Sequence, residues 1–209
     1  MYVGVCMTRH LPGKTASTAV PVHPLLAERW SPRGFDLGYQ LGDAALTALL
    51  EAARWAPSAQ NSQPWRFLVA RRGEDAHDRL FAALAPGNRA WAGTASALVL
   101  VAARTAGDDG DPQPWALYDT GQAVAALVTQ AQADGLAVHQ MGGFDTAAVR
   151  AEFGLGDDLT PVVVLAIGRR DSTADLPEPF AAREIAPRTR RPVSDLLLPA
   201  RSGRGLAAA

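Results

Sequence analysis

Two apolar stretches, residues 95–103 and 161–167, constrain this chain more than any other feature. Each is roughly half the length of about 20 residues that a membrane-spanning helix needs, so both read as buried strands. The part from 97 to 103 shows no alternation of polar and apolar residues, and such a strand must be covered on both faces. Further strands are expected at 65–70 and 138–141, with 162–167 as the last. Between them the apolar residues recur with a helical period. Leu46, Leu49, Leu50 and Ala53 follow Asp43, a predicted N-cap, and Pro57 closes that helix. Leu80, Phe81 and Leu84 share a face over 75–84, with Pro86 and Gly87 as the stop. The longest helical pattern, 115–134, ends at Gly135, which suits the C′ position, and its Gly121, Ala123, Ala125 and Ala126 would let another helix approach closely. Asp145 is placed to cap a helix containing Val149 and Phe153, closed by Gly154.

Residues 105–114, rich in Asp, Gly and Pro, read as a short loop. No repeat or linker divides the chain, so one domain is expected over 25–198, between flexible tails at 1–24 and 199–209. Helices alternating with strands would by themselves suggest an α/β sheet. Neither G-x-G-x-x-G after a strand nor a P-loop occurs, however, and the familiar nucleotide cradles are excluded.

Charge and cysteine usage narrow the function. The 209 residues carry 20 Lys+Arg against 21 Asp+Glu, a formal charge of -1. A nucleic-acid-binding domain usually has a pI above about 9, so neither nucleic acid nor a membrane is an expected partner. Cys6 is the lone cysteine, which rules out an intramolecular disulfide and a Cys-based zinc cluster; no metal site is expected. The first 20 residues lack the apolar core of a signal peptide, and a cytoplasmic location is expected. Of the positive residues 19 are Arg, and Lys14 alone is Lys.

Three separated elements concentrate groups suited to an anionic, planar ligand with many acceptors. Arg29, Ser31 and Arg33 would project to one side of an extended stretch. The stretch A-P-S-A-Q-N-S-Q-P-W at 56–65 packs amide and hydroxyl groups between two prolines, which lower the ordering cost of binding. The third element, P-R-T-R-R-P at 187–192, lies near the C-terminus. Taken alone, the two arginine elements read as a solvated loop and a solvated tail. His10, His23, His77 and His139 are scattered and read as surface or core residues, and Tyr118 and Asp119 as residues that orient the long helix.

Together with Asn88 before Trp91, Y-D-T-G at 118–121, M-G-G-F-D at 141–145 and A-E-F-G-L at 151–155, these elements resemble the nitroreductase family of FMN-dependent oxidoreductases. The resemblance runs from about residue 25 to 198. It implies an α+β fold with a central, mostly antiparallel sheet flanked by helices. It also implies an intertwined homodimer in which the C-terminal strand of each chain joins its partner's sheet, with two FMN sites at the interface. Carried over by position, Arg29, Arg188 and Arg190 would hold the FMN phosphate beside Ser31, and Arg33 would lie near the N1/O2 edge of the ring. Pro57, Ser58, Ala59 and Asn61 would come from the other subunit, and Asn88 would reach the pyrimidine edge. Met141, Gly142 and Gly143 would pass along the ring, with a backbone N–H donating to N5.

Flavin supplies the redox chemistry, so no side-chain acid, base or nucleophile is needed. The reaction implied is hydride transfer from NAD(P)H to FMN and then to a nitroaromatic, quinone or similar electron-poor acceptor, in ping-pong order. A specialised flavin dehydrogenase, or a flavin-binding or sensing protein without general turnover, is the alternative on the same fold. Gly142 and Trp91 stand where some members carry Glu and Lys. The loop 105–114 also replaces a long helical excursion, which predicts an open flavin face or one covered by the N-terminal tail or Trp115.

Overall fold

The computed structural model describes residues 14–198. Strands β1 (Trp65–Arg71), β2 (Ala97–Arg104), β3 (Ala137–Met141) and β4 (Leu159–Gly168) form a four-stranded sheet in the order β1-β2-β4-β3. The two apolar stretches thus occupy its centre, as their composition requires. Every pairing is antiparallel, so the α/β sheet suggested by alternation alone gives way to the α+β architecture that the resemblance implied. Pro161 has no N–H for the ladder. The register between β2 and β4 shifts between Val101 and Ala102, where Ala102 faces Pro161, and a bulge is where a sheet tolerates proline.

The helices are α1 (Pro24–Glu28), α2 (Asp43–Arg54), α3 (Asp75–Ala82), α4 (Pro86–Ala92), α5 (Ala116–Ala133), α6 (Thr146–Phe153) and α7 (Phe180–Ile185). Side chains alternate across β2. Ala97, Val99 and Val101 pack with Leu49 of α2 and Leu127 of α5 on one face, while Leu98 and Leu100 pack with Leu80, Trp91 and Val149 of α3, α4 and α6 on the other. Leu49, Leu98, Leu100 and Leu127 are at most 1% exposed, and burial of each contributes about 1.5–3 kcal/mol. Ala123 and Ala131 are fully buried on α5, which brings the backbone of that helix close to the core, whereas Gly121 lies on its outer side with open space around it. Among the described residues no helix is long and apolar enough to cross a membrane.

Several caps match the sequence. Asp145 Oδ1 accepts from the Ala147 and Ala148 N–H groups at 3.0 and 2.9 Å, and Gly135 and Gly154 turn with positive φ at the ends of α5 and α6. Two expectations need correction. Gly42, not Asp43, is the N-cap of α2, and Asp43 is free to pair with Arg71 across the sheet edge. The helix expected over 75–84 ends at Ala82, and Pro86, expected only as a stop, opens α4. A proline at the first helical position loses no hydrogen bond because that N–H has no partner in any helix.

Segments near the two ends of the described residues meet: 14–27 lies against 183–188. Lys14 is 6% exposed, and its Nζ donates to the Arg183 and Ala186 carbonyls at 3.1 and 2.7 Å, capping the last turn of α7. The Ala16 N–H donates to Ala27 O. This is a fixed contact within the stretch expected as an N-terminal tail; the rest of that expectation, residues 1–13, and the tail at 199–209 lie outside the described residues. Residues 193–198 form a 3₁₀ turn and an extended end whose apolar side chains face outward, with Leu196 68% and Leu198 92% exposed.

Candidate functional site

The loop after α1 carries the first arginine element. Its shape is set from below by His139 of β3, whose Nδ1 lies 2.9 Å from Pro32 O. A carbonyl only accepts, so the ring donates from Nδ1. Burial lowers the His139 pKa to about 4, the backbone carbonyls of Pro32 and Ser31 pull it upward, and nearby Arg33 pushes it down; the ring is neutral at pH 7. The same ring packs against Trp91, with centroids 4.4 Å apart. Trp91, 3% exposed, is a core residue here, and Arg33 lies over it at 5.9 Å and over Phe180 at 5.8 Å. The Ser31 hydroxyl sits half-buried between the two arginines in sequence.

Arg29 faces the other arginine element. Burial pushes its guanidinium pKa down and Arg190 adds to the effect; Arg188 is lowered by burial first and then by Arg29 and Arg190. Three guanidiniums from opposite ends of the chain therefore stand within repelling distance and remain charged. Arg188 is fixed there by donating from one nitrogen to Lys14 O and Ala27 O, both at 2.8 Å. Arg190 is exposed and donates to Thr189 O at 2.7 Å. Such a group lowers its energy by taking up an anion.

A second convergence joins α4 to the turn after β3. Asn88 Nδ2 donates to Gly143 O at 2.9 Å, and Gly143 O also accepts from the Ala85 N–H. A Cβ on Gly143 would lie 3.1 Å from Asn88 Nδ2 and 3.3 Å from the Ala85 side chain, so the absence of a side chain is what allows this approach. Gly142 has open space around it. Met141 is 2% exposed with its side chain in the core, which leaves its backbone as the part facing the turn.

The loop at 57–63 forms a third group. Gln60, Asn61 and Gln63 have φ of 53, 58 and 46°, a region that side-chain-bearing residues seldom occupy. Internal hydrogen bonds hold it: Gln63 N–H to Ser58 Oγ at 3.0 Å and Asn61 N–H to Ser58 O at 3.1 Å. The Ala59 N–H donates at 2.9 Å to Asp119 Oδ2, and Asp119 is 3% exposed. Asp119 thus anchors the loop, a role beyond orienting its own helix. Ala59, Gln60 and Ser62 face residues 112–116 across a cavity of about 310 Å³, whose Trp115 is 61% exposed. Among the described residues no hydrogen bond or ion pair links this loop, with its Pro57, to the arginines. Arg29, Arg188 and Arg190 therefore form one group, Arg33 with Trp91 a second and Asn88 with Gly143 a third, while Ser31 adjoins the first two in sequence and residues 57–61 make no hydrogen bond or ion pair with any of these groups among the described residues.

Sequence reading overlooked Glu184. Its carboxylate accepts the Arg33 N–H at 3.1 and 3.0 Å and the Gly34 N–H at 3.4 Å. A carboxylate four residues before Arg188 in an arginine-rich segment was the available signal.

With this geometry in view, the chain matches the model of the "Nitroreductase family" over residues 26–90 and 83–169. A solved structure described as an oxidoreductase containing FMN is 34% identical, has a TM-score of 0.83, and is covered over 90% of this chain and 96% of its own. An FMN complex from Exiguobacterium sibiricum is 25% identical with a TM-score of 0.68, over 89% of this chain and 100% of its own. A Bacillus subtilis protein provisionally named as an NAD(P)H nitroreductase is 28% identical over 69% of this chain and 86% of its own.

Proposed function

The chain belongs to the nitroreductase family, and from that premise we propose that it binds FMN and works as an NAD(P)H-dependent oxidoreductase. The cluster of Arg29, Arg188 and Arg190 carries this reading. A phosphate monoester offers the charge and the paired acceptor oxygens that guanidiniums bind best, so the donor set fits the FMN phosphate, with the Ser31 hydroxyl beside it. Arg33 is the cation suited to the electron-rich N1/O2 edge, and its seat between Trp91 and Phe180 limits its freedom. The Asn88 and Gly143 contact supports a narrow backbone wall, where the N–H of Gly142 or Gly143 would donate to the ring and Asn88 would meet the pyrimidine edge.

Bound FMN would supply the hydride chemistry, taking reducing equivalents from NAD(P)H and delivering them to a nitroaromatic, quinone or similar acceptor in ping-pong order. The chain's own residues bind, orient and tune. The 57–61 loop, anchored by Asp119 and making no hydrogen bond to these arginines of its own chain among the described residues, is suited to the flavin site of a second copy. The outward apolar residues of 193–198 are suited to the partner's sheet, which makes the working unit a homodimer. Trp115 beside the short 105–114 loop would border the acceptor site.

The purified protein is expected to be yellow with the two-band flavin spectrum, and to oxidise NADH or NADPH in the steady state with a nitroaromatic acceptor. A colourless protein that cannot be reconstituted with FMN would sink the reading. Flavin binding without acceptor turnover would remove the reductase part alone.

A further inference from the structure

Glu184 stands where the two arginine elements meet. It projects from α7, four residues before Arg188, and both its oxygens accept the Arg33 N–H while Oε1 also reaches the Gly34 N–H. The partners are 151 and 150 residues apart in sequence, so this one carboxylate fastens the C-terminal arginine segment to the N-terminal one. The loop has little room to settle elsewhere. A Cβ on Gly34 would lie 2.5 Å from Asp171 O, and the Gly34 carbonyl accepts the Asp171 N–H at 3.0 Å. On the other side α7 is held by Lys14, which donates to the Arg183 and Ala186 carbonyls. Burial raises the Glu184 pKa, while the Arg33 and Gly34 N–H groups and the Arg33 and Lys14 charges lower it.

We propose that Glu184 is a positioning residue that aims Arg33 at the flavin and, through its charge beside Arg33, sets the flavin's reduction potential. The inference rests on the FMN reading above. Its physical basis is a competition between two fields. A cation near the N1/O2 edge favours the anionic reduced flavin, and a carboxylate beside that cation weakens its field. Removing the negative charge while keeping the hydrogen-bond acceptor leaves Arg33 in place with its field less opposed, so the reduced flavin is bound more tightly relative to the oxidised one. Removing the acceptor as well leaves two backbone N–H groups without their partner and loosens the loop.

The test uses the FMN-loaded protein at pH 8, with the two-electron potential read against a redox dye and the FMN Kd read by fluorescence quenching. Glu184→Gln is expected to raise the potential, with the ratio of affinities for reduced and oxidised FMN shifting at least tenfold, equal to about 30 mV for a two-electron couple. Glu184→Asp, which keeps the charge, is expected to retain the wild-type potential and rescue that shift. Glu184→Ala is expected to weaken FMN binding at least tenfold with an unchanged far-UV spectrum. An unchanged potential in Glu184→Gln, whether or not affinity falls, overturns the proposal, because a purely structural role would leave the potential where it was. A wild-type protein that binds no FMN would instead strike the flavin reading itself, and the proposal with it.

Discussion

Lowering the pH should destabilise the folded chain in large part through His139, which packs beneath the arginine loop. His139 is buried and neutral in the folded chain, with a pKa near 4 against an ordinary value of 6.5. Between those values the unfolded chain holds a proton at this site that the folded chain does not, so stability is fully present above about pH 6.5 and falls as the pH is lowered toward 4. The gap corresponds to about 3 kcal/mol in full, and to about 2 kcal/mol by pH 5. His77, also lowered chiefly by burial, acts in the same direction, and a wild-type pH profile alone therefore does not isolate His139. The comparison that does is His139→Gln, which keeps a donor for Pro32 O but has no proton to gain. Urea unfolding followed by tryptophan fluorescence at pH 7.5 and 5.0 should show the wild type losing about 2 kcal/mol more than the variant. Equal losses in the two proteins would refute a neutral, buried His139.

Other outcomes follow from particular contacts. Asp119→Ala removes the acceptor of the Ala59 N–H at a part-buried bond; a loss of about 0.5–1.5 kcal/mol in denaturant unfolding is expected, and an unchanged midpoint would remove Asp119 as the anchor of the loop. Gly143→Ala brings a Cβ to 3.1 Å from Asn88 Nδ2, so the amide must shift off the Gly143 carbonyl and a loss of about 0.5–1.5 kcal/mol is expected on thermal melting, whereas Gly142→Ala meets nothing within 4 Å and should melt like the wild type. Leu196→Asp combined with Leu198→Asp places charges on the outward apolar end of the chain. Light scattering should find the wild type dimeric and the double variant monomeric, and a variant that stays dimeric would place the interface elsewhere.

The parts of the fold governed by local chemistry were legible in the sequence. The unbroken hydrophobicity of 97–103 located a doubly covered strand, Asp145 and Gly154 bounded α6, and Gly135 ended α5. Strand direction was less accessible, because period and propensity describe one strand at a time and not its neighbour; alternation pointed to a different sheet, and the family motif carried the antiparallel expectation. Pro86 shows the same limit on a smaller scale, since one residue type both ends a helix and begins one. In the site, the arginines stood out by composition, but the groups that hold them did not. Glu184 and Lys14 each act on residues more than 140 positions away, and His139 acts on a backbone carbonyl, which has no signature in side-chain pattern.

Calorimetric titration of FMN and riboflavin into the apoprotein tests the central claim most directly, since the two ligands differ only in the phosphate assigned to Arg29, Arg188 and Arg190. Two charge-assisted hydrogen bonds of about 1.5–3 kcal/mol each predict at least about 100-fold preference for FMN in the wild type, at roughly 1.4 kcal/mol per tenfold. The double variant Arg29→Ala, Arg190→Ala should lose most of that preference while binding riboflavin as the wild type does. Equal affinity for the two ligands in the wild type, or full discrimination retained in the variant, would contradict the account.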